Sequence, residues 1–385
     1  MTLPMTLPMT LPRLRAAATE LTASGCEVGL QIAVYRHGAL IADIATGLAD
    51  PATGTRTQPG TLFFAASTAK AITATLTHAL VELGELDYDM RLVDVWPQFA
   101  PHGKDKITLR QVLLHTAGLP GLPPHTTPED LCDWEHMCAV LANAQPWWEP
   151  GTRFGYHAKT FGFLLGETAR RATGHTPSGL LREIITGPLG ITDEVHFGVP
   201  RTLLPRLARP VPPADPAPAP DPGSPADRAI PRAVQPTAEY ANRDDILTHD
   251  IPSEGTMTAR GAARVHAALL GHVDGVKLVS PQRLSAIAQV TYTGEDEVMR
   301  VPTQWAFGYS TFWPGAGPRP GSTLGMVGAN GSVAFADIDT GVAVAIMRNQ
   351  FAVDGLSTAQ RLGRIIRIIA EPEPEPEIPR KMTGR

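Results

Sequence analysis

Strand signals gather at the two ends of this chain, with helices between, and that arrangement constrains the fold most. Val28 to Val34 and Leu40 to Ile44 read as strands joined by a turn at Arg36-His37-Gly38. Near the other end, Trp305 to Phe312, Gly331 to Asp337 and Val342 to Met347 carry strand signals. Asp339-Thr340-Gly341 supplies the hairpin turn between the last two. Thr61-Leu62-Phe63-Phe64 is a further short strand signal. Ala69 to Leu83 reads as a helix closed by Gly84, and its Ala and Leu content suits burial on most sides. Thr160 to Arg171 and Leu356 to Ala370 also read as helices. Thr258 to Leu270 is another, with Ala262, Val265, Ala268 and Leu269 at helical spacing. The expectation is an α+β fold whose two ends pair in one antiparallel sheet flanked by helices. A helical subdomain would face that sheet across a cleft.

Residues 25–370 are expected to form one domain, with its helical region at about 85–260. Residues 204–236 are dominated by Pro, Ala and Asp, which suits an extended surface excursion. Residues 1–24 repeat Met-Thr-Leu-Pro from Met1, Met5 and Met9, without the basic start and long apolar core of a secretory signal. They are expected to be a disordered lead, with Met5 and Met9 as alternative starts. Residues 371–385 begin as an acidic, proline-interrupted run and are expected to be a disordered tail.

A net charge of −5 offers no basic footprint for nucleic acid. No apolar run reaches the roughly 18 residues of a membrane span. Three cysteines, Cys26, Cys132 and Cys138, make no disulfide framework, so a cytoplasmic location with reduced thiols is expected. Cys132, Glu135, His136 and Cys138 cluster without a second ligand pair, so no metal and no other cofactor is expected. Oligomeric state is left open.

Chemistry is concentrated in three places. Ser67-Thr68-Ala69-Lys70 follows the apolar Phe63-Phe64-Ala65-Ala66. A Ser and a Lys three apart on a helix share a face, and an uncharged Lys can take the Ser proton. The helix start favours the negative charge that builds in acyl transfer. The same spacing also suits a capping Ser beside a solvated Lys, so the rest of the chain decides. Trp148-Glu149-Pro150-Gly151 leads to Tyr156, whose hydroxyl, if held near a lysine, would have its phenolate form favoured and could relay a proton. His157 beside it and Trp305 are candidates to line the cleft, as are Trp147 and Trp148. Leu324-Gly325-Met326-Val327-Gly328-Ala329-Asn330-Gly331-Ser332 is glycine-rich at a strand entry, where a carbonyl can approach the backbone closely. No G-x-S-x-G elbow occurs. His115, in Leu113-Leu114-His115-Thr116-Ala117-Gly118-Leu119, suits a structural hydrogen-bonding role.

Together these blocks resemble the serine β-lactamase and penicillin-binding-protein superfamily, in the branch of class C β-lactamases and class VIII esterases. The resemblance covers roughly residues 25–370. It rests on Phe64 to Lys70, Leu113 to Leu119, Trp148 to Thr152 with Tyr156, Thr258-Ala259-Arg260, and Gly325 to Ser332 with Phe335-Ala336-Asp337. It implies a β-lactamase/transpeptidase-like fold, Ser67 as acylated nucleophile, Lys70 as its base and Tyr156 as proton relay. The backbone N–H groups of Ser67 and Ala329 would form the oxyanion hole, with Met326 and Gly328 in the substrate pocket. Two departures steer the substrate. Ala158 stands where the family's Asn amide would contact lactam or peptide, and Met326 stands where it usually has Lys, His or Trp. Met cannot pair with a substrate carboxylate. The expected substrates are therefore small carboxylic esters or activated acyl groups. An acyltransferase passing the acyl group to an alcohol or amine, as in secondary-metabolite tailoring, is the alternative. Behind both stand β-lactamase or D-aminopeptidase action and binding without turnover.

Overall fold

The computed structural model describes residues 7–213, 219–271, 273–313, 317–318, 321–351 and 357–370. Its central sheet draws on both ends of the sequence, as expected. The strands are β1 (Gly29–Arg36), β2 (Ala39–Asp50), β3 (Thr55–Arg56), β4 (Thr323–Val327), β5 (Val333–Asp337) and β6 (Val342–Arg348), in the spatial order β4-β5-β6-β1-β2-β3. All neighbours are antiparallel. The register of β1 on β6 runs from Leu30 opposite Arg348 to Arg36 opposite Val342, so residues three hundred positions apart share one ladder.

Side-chain alternation gives the sheet two distinct faces. Leu30, Ile32 and Val34 of β1, Val333 and Phe335 of β5, and Val342, Val344 and Ile346 of β6 form one. Helices α1 (Leu7–Ala23) and α2 (Ser357–Ala370) cover it with Leu14, Ala18, Leu21, Leu362 and Ile366. Each fully buried Leu or Ile there contributes about 1.5–3 kcal/mol. The opposite face carries Ala33, Ala334, Ala336, Ala343 and Ala345. These short side chains let a third helix, Ala259–Leu270, pack closely on β1, β5 and β6. Behind it stands the Ala- and Leu-rich helix Ala69–Leu83, buried from Ala69 through Leu80 and ended by Gly84 at φ 81°.

Two expectations fail here. The lead expected to be disordered is helical from Leu7 to Ala23, because the sheet face needs cover that Leu14, Ala18 and Leu21 supply. The proline-rich stretch is not simply a surface excursion. Ala208 N–H donates to Leu62 O at 2.8 Å, and Pro225–Ala229 and Arg232–Val234 form short helices that bury Ala229 and Val234. Its residues 214–218, and the expected tail over 371–385, lie outside the described residues. Among the described residues, no helix is long and apolar enough to cross a membrane.

Candidate active site

Ser67 is presented by a strained turn. Phe63–Phe64 pairs with Thr256–Met257, and Ala65 N–H donates to Gly255 O at 2.8 Å. The chain then tightens into a single 3-10 turn, Ala66–Thr68, before the helix at Ala69. Ala66 adopts φ 46°, a left-handed conformation that costs a non-glycine residue about 1 kcal/mol or more. Ser67 is left partly exposed at the helix start while its neighbours are buried.

Lys70 lies one turn along, 1% exposed. Its Nζ is 3.0 Å from Ser67 Oγ and donates to the Ser253 carbonyl at 2.9 Å. Burial is the main cause that pulls its pKa down to about 7, with Glu254 opposing and Lys159 adding to the shift. A large fraction of Lys70 is therefore uncharged at neutral pH, which a base for Ser67 requires.

Tyr156 is aimed by its backbone. Its N–H donates to Asp296 Oδ1 at 3.1 Å, Gly155 N–H to His115 O at 3.1 Å, and His157 N–H to His115 Nδ1 at 3.0 Å. The Tyr156 ring lies under Lys70 Nζ, 5.2 Å from its centroid. Its hydroxyl is enclosed and close enough to Ser67 to feel it, yet makes no well-formed hydrogen bond. Burial raises its pKa well above that of a free phenol, only partly offset by Ser67. The favoured phenolate expected from the sequence is thus reversed, and Tyr156 is a neutral O–H donor.

The glycine-rich entry to β5 closes over this pair. Asn330 Nδ2 donates to Phe64 O at 2.8 Å and Arg348 O at 3.2 Å, and Thr68 Oγ1 donates to Ser332 O at 3.0 Å. Ala329 is held beside the Ser67 turn by these bonds and lines the same cavity as Ser67. Gly328 is there because nothing larger fits: a Cβ would meet Ala65 O at 2.4 Å and Asn330 Oδ1 at 2.8 Å.

The cavity measures about 880 Å³. Ser67, Tyr156, Ala158, Trp305, Met326 and Gly328 all line it. His157 does not. It is fully buried behind Tyr156, its Nδ1 donating to Gly155 O at 2.6 Å and its Nε2 accepting from Leu119 N–H at 3.0 Å. Burial lowers its pKa to about 4, so it braces the loop as a neutral ring. Trp148 packs against the same loop, and Trp147 edges a separate cavity of about 390 Å³.

Sequence reasoning missed Lys159, Ser253, Glu254 and Asp296. Lys159 ion-pairs with Glu254, whose other oxygen accepts from Tyr240 Oη at 2.7 Å. Ser253 Oγ donates to Lys159 O and accepts from Gly162 N–H, both at 2.7 Å. The available signals were Lys159 three positions beyond Tyr156, and Ser253-Glu254-Gly255 just before a helix cap. Ile230, Gln235 and Pro236 of the proline-rich stretch also line the cavity. Among the described residues, no group of three or more His, Cys, Asp or Glu side chains is placed to hold a metal.

This geometry agrees with comparisons to known proteins. The chain is 32% identical over 344 residues to the esterase/β-lactamase LipL of Mycobacterium tuberculosis, covering 84% of this chain and 77% of that one. A penicillin-binding protein homologue from Caulobacter crescentus superposes with a TM-score of 0.84 at 32% identity, over 96% of this chain and 99% of the other. A family VIII carboxylesterase superposes at 0.80 with 30% identity, over 92% and 97%. The profile of the β-lactamase family matches residues 14–365, and the chain belongs to that family.

Proposed function

We propose that this chain is a serine esterase acting on uncharged carboxylic esters through an acyl-enzyme at Ser67. The observation that carries the reading is Lys70, buried, 3.0 Å from Ser67 Oγ, its pKa lowered to about 7 so that much of it lacks its proton near neutral pH. Lys70 takes the Oγ proton as the oxygen attacks the ester carbonyl. The N–H groups of Ser67 and Ala329 receive the oxyanion. As the tetrahedral species collapses, the C–O bond to the alcohol breaks, Tyr156 gives its hydroxyl proton to the departing oxygen, and the proton that Lys70 took from Ser67 returns the tyrosine to its neutral form. Water then repeats the sequence on the acyl group and releases the acid.

The cavity supports an uncharged substrate. Met326, 7% exposed, forms one wall where a carboxylate-reading cation would stand, and Ile230, Met299, Val301 and Phe312 extend the apolar lining. The only cation among the described lining residues is Lys159, already neutralised by Glu254. Its volume of about 880 Å³ far exceeds an acetyl group and leaves space for a bulkier acyl chain. That spare volume also favours a second reading, transfer of the acyl group to an alcohol or amine seated beside it.

Brief treatment with a fluorophosphonate, followed by intact mass and peptide mapping, should find one adduct on Ser67; unlabelled protein sinks the reading. Ser67→Ala should abolish hydrolysis of p-nitrophenyl butyrate. Running that ester with added alcohols or amines separates the two readings, since products containing only free acid exclude transfer to those acceptors.

A further inference from the structure

We propose that the buried Lys159–Glu254 ion pair is a positioning device for the general base, controlling when Lys70 gives up its proton. The inference rests on the esterase reading, because it assigns Lys70 a base's task. One short segment, Pro252 to Gly255, touches every part of the device. The Ser253 carbonyl accepts from Lys70 Nζ at 2.9 Å, Ser253 Oγ grips the Lys159 backbone at 2.7 Å, and the next side chain, Glu254, binds Lys159 Nζ. Gly162 holds its own helix against this segment, where a Cβ would meet Ser253 N at 2.1 Å. Tyr240 completes the shell, its hydroxyl on Glu254 and its ring 4.2 Å from Lys159 Nζ. Lys159 is 2% exposed and Glu254 5%, so neither charge is screened by bulk water.

The catalytic steps leave both residues unused, and a buried pair is a weak source of stability compared with apolar packing. Its placement beside Lys70 gives it a second role. Glu254 favours the charged form of Lys70, and Lys159 disfavours it by a smaller amount. The other groups facing Lys70 stay neutral in this range: Ser67, Tyr156 with its raised pKa, and His115, whose burial holds its pKa well below the usual value. Asp296 acts on Tyr156, not on Lys70. The pair is therefore the source of charge around the base, and the two halves pull in opposite directions.

The test is the pH profile of kcat/KM for p-nitrophenyl butyrate with the full chain. Lys159→Met leaves Glu254 facing Lys70 alone, so the acid limb should move up by about one pH unit, with rate restored in alkali. Glu254→Gln leaves Lys159 alone to disfavour the charged form of Lys70, so the limb should move down. Should Lys159→Met not fold, Lys159→Met/Glu254→Gln removes both charges, and its limb should fall below the wild-type position. An upward shift in Lys159→Met, or a downward one in the double variant, supports the device. An unmoved limb with a uniform loss of rate at every pH means the pair is structural and overturns it. Fluorophosphonate labelling separates the two failures: an unmoved limb with Ser67 still labelled defeats this inference alone, whereas absence of label on wild-type Ser67 defeats the esterase reading beneath it.

Discussion

Glu27–Arg348 and Lys159–Glu254 are both fully buried ion pairs, yet they are built into different parts of the molecule. The first lies in the sheet scaffold. Arg348 Nε donates to Glu27 Oε2 at 2.9 Å, and Thr358 of α2 donates to the other oxygen. It joins the entry of β1, the end of β6 and the last helix, and among the described residues its charged groups make no hydrogen bond to Ser67, Lys70 or Tyr156. The second faces a cavity and Lys70, the proposed base. Burial raises the pKa of Glu27 and lowers that of Lys159, the same desolvation acting on opposite charges. A buried charge pair therefore does whatever its neighbours allow. In the scaffold it fixes which chain segments meet, and in the site it also sets an electric environment.

Lys70→Ala breaks the site side of this comparison most sharply. It should lower kcat/KM by about 10²–10⁴-fold while leaving the unfolding midpoint close to wild type, checked by ester hydrolysis and denaturant titration. Glu27→Gln tests the scaffold side. It holds that side chain in a neutral form, and should leave stability in acid close to wild type with no change in the kinetic pH profile. Its pH dependence has a definite sign. The folded pKa of Glu27 is raised, so acid protonates it in the wild type too. The wild type holds the full contribution of Glu27 below its unfolded pKa and loses it as pH rises through the folded one, so the two stabilities should match in acid and the variant should gain on the wild type as pH rises.

Gly328→Ala sharpens the comparison further, because it disturbs the junction of scaffold and site. Displacing Ala329 from the oxyanion position should cost about 10-fold or more in kcat, with KM moving less. The smallest effect is in the wild type itself. With Lys70 near 7, kcat/KM should rise across about pH 6 to 8 as the amine loses its proton. A flat profile there would separate Lys70 from the base role.

The legible parts of this protein were those with local causes. The strand runs from Val28, Gly331 and Val342, the helix ended by Gly84, and the Thr258-capped helix follow from periodicity and caps, and the structure places them within a few residues, whereas the run expected over Trp305 to Phe312 is split into Pro302–Trp305 and Phe312–Trp313. Helix α1 was not legible, since its Pro12 and repeated Leu-Pro argue locally against a helix that only the uncovered sheet face explains. The proline-rich stretch misled for the same reason, because Ala229 and Val234 are recruited by distant partners. In the site, the Ser67 and Lys70 spacing was visible because one helix turn sets it. Lys159 and Glu254 are separated by 95 residues and meet only after folding, so no spacing rule announces them.

The stapling of Phe64 O by Asn330 has a consequence for the order in which the molecule becomes dangerous. Ser67 and Lys70 leave the ribosome early, but the loop that completes their surroundings emerges more than 250 residues later. A nascent chain carries Ser67 without the loop that holds Ala329 and without the strand that β1 needs as a neighbour. Long-range pairing of this kind folds slowly and late. On the proposed mechanism reactivity is therefore withheld until synthesis is nearly finished, and a chain truncated before β4 should show no fluorophosphonate adduct on Ser67.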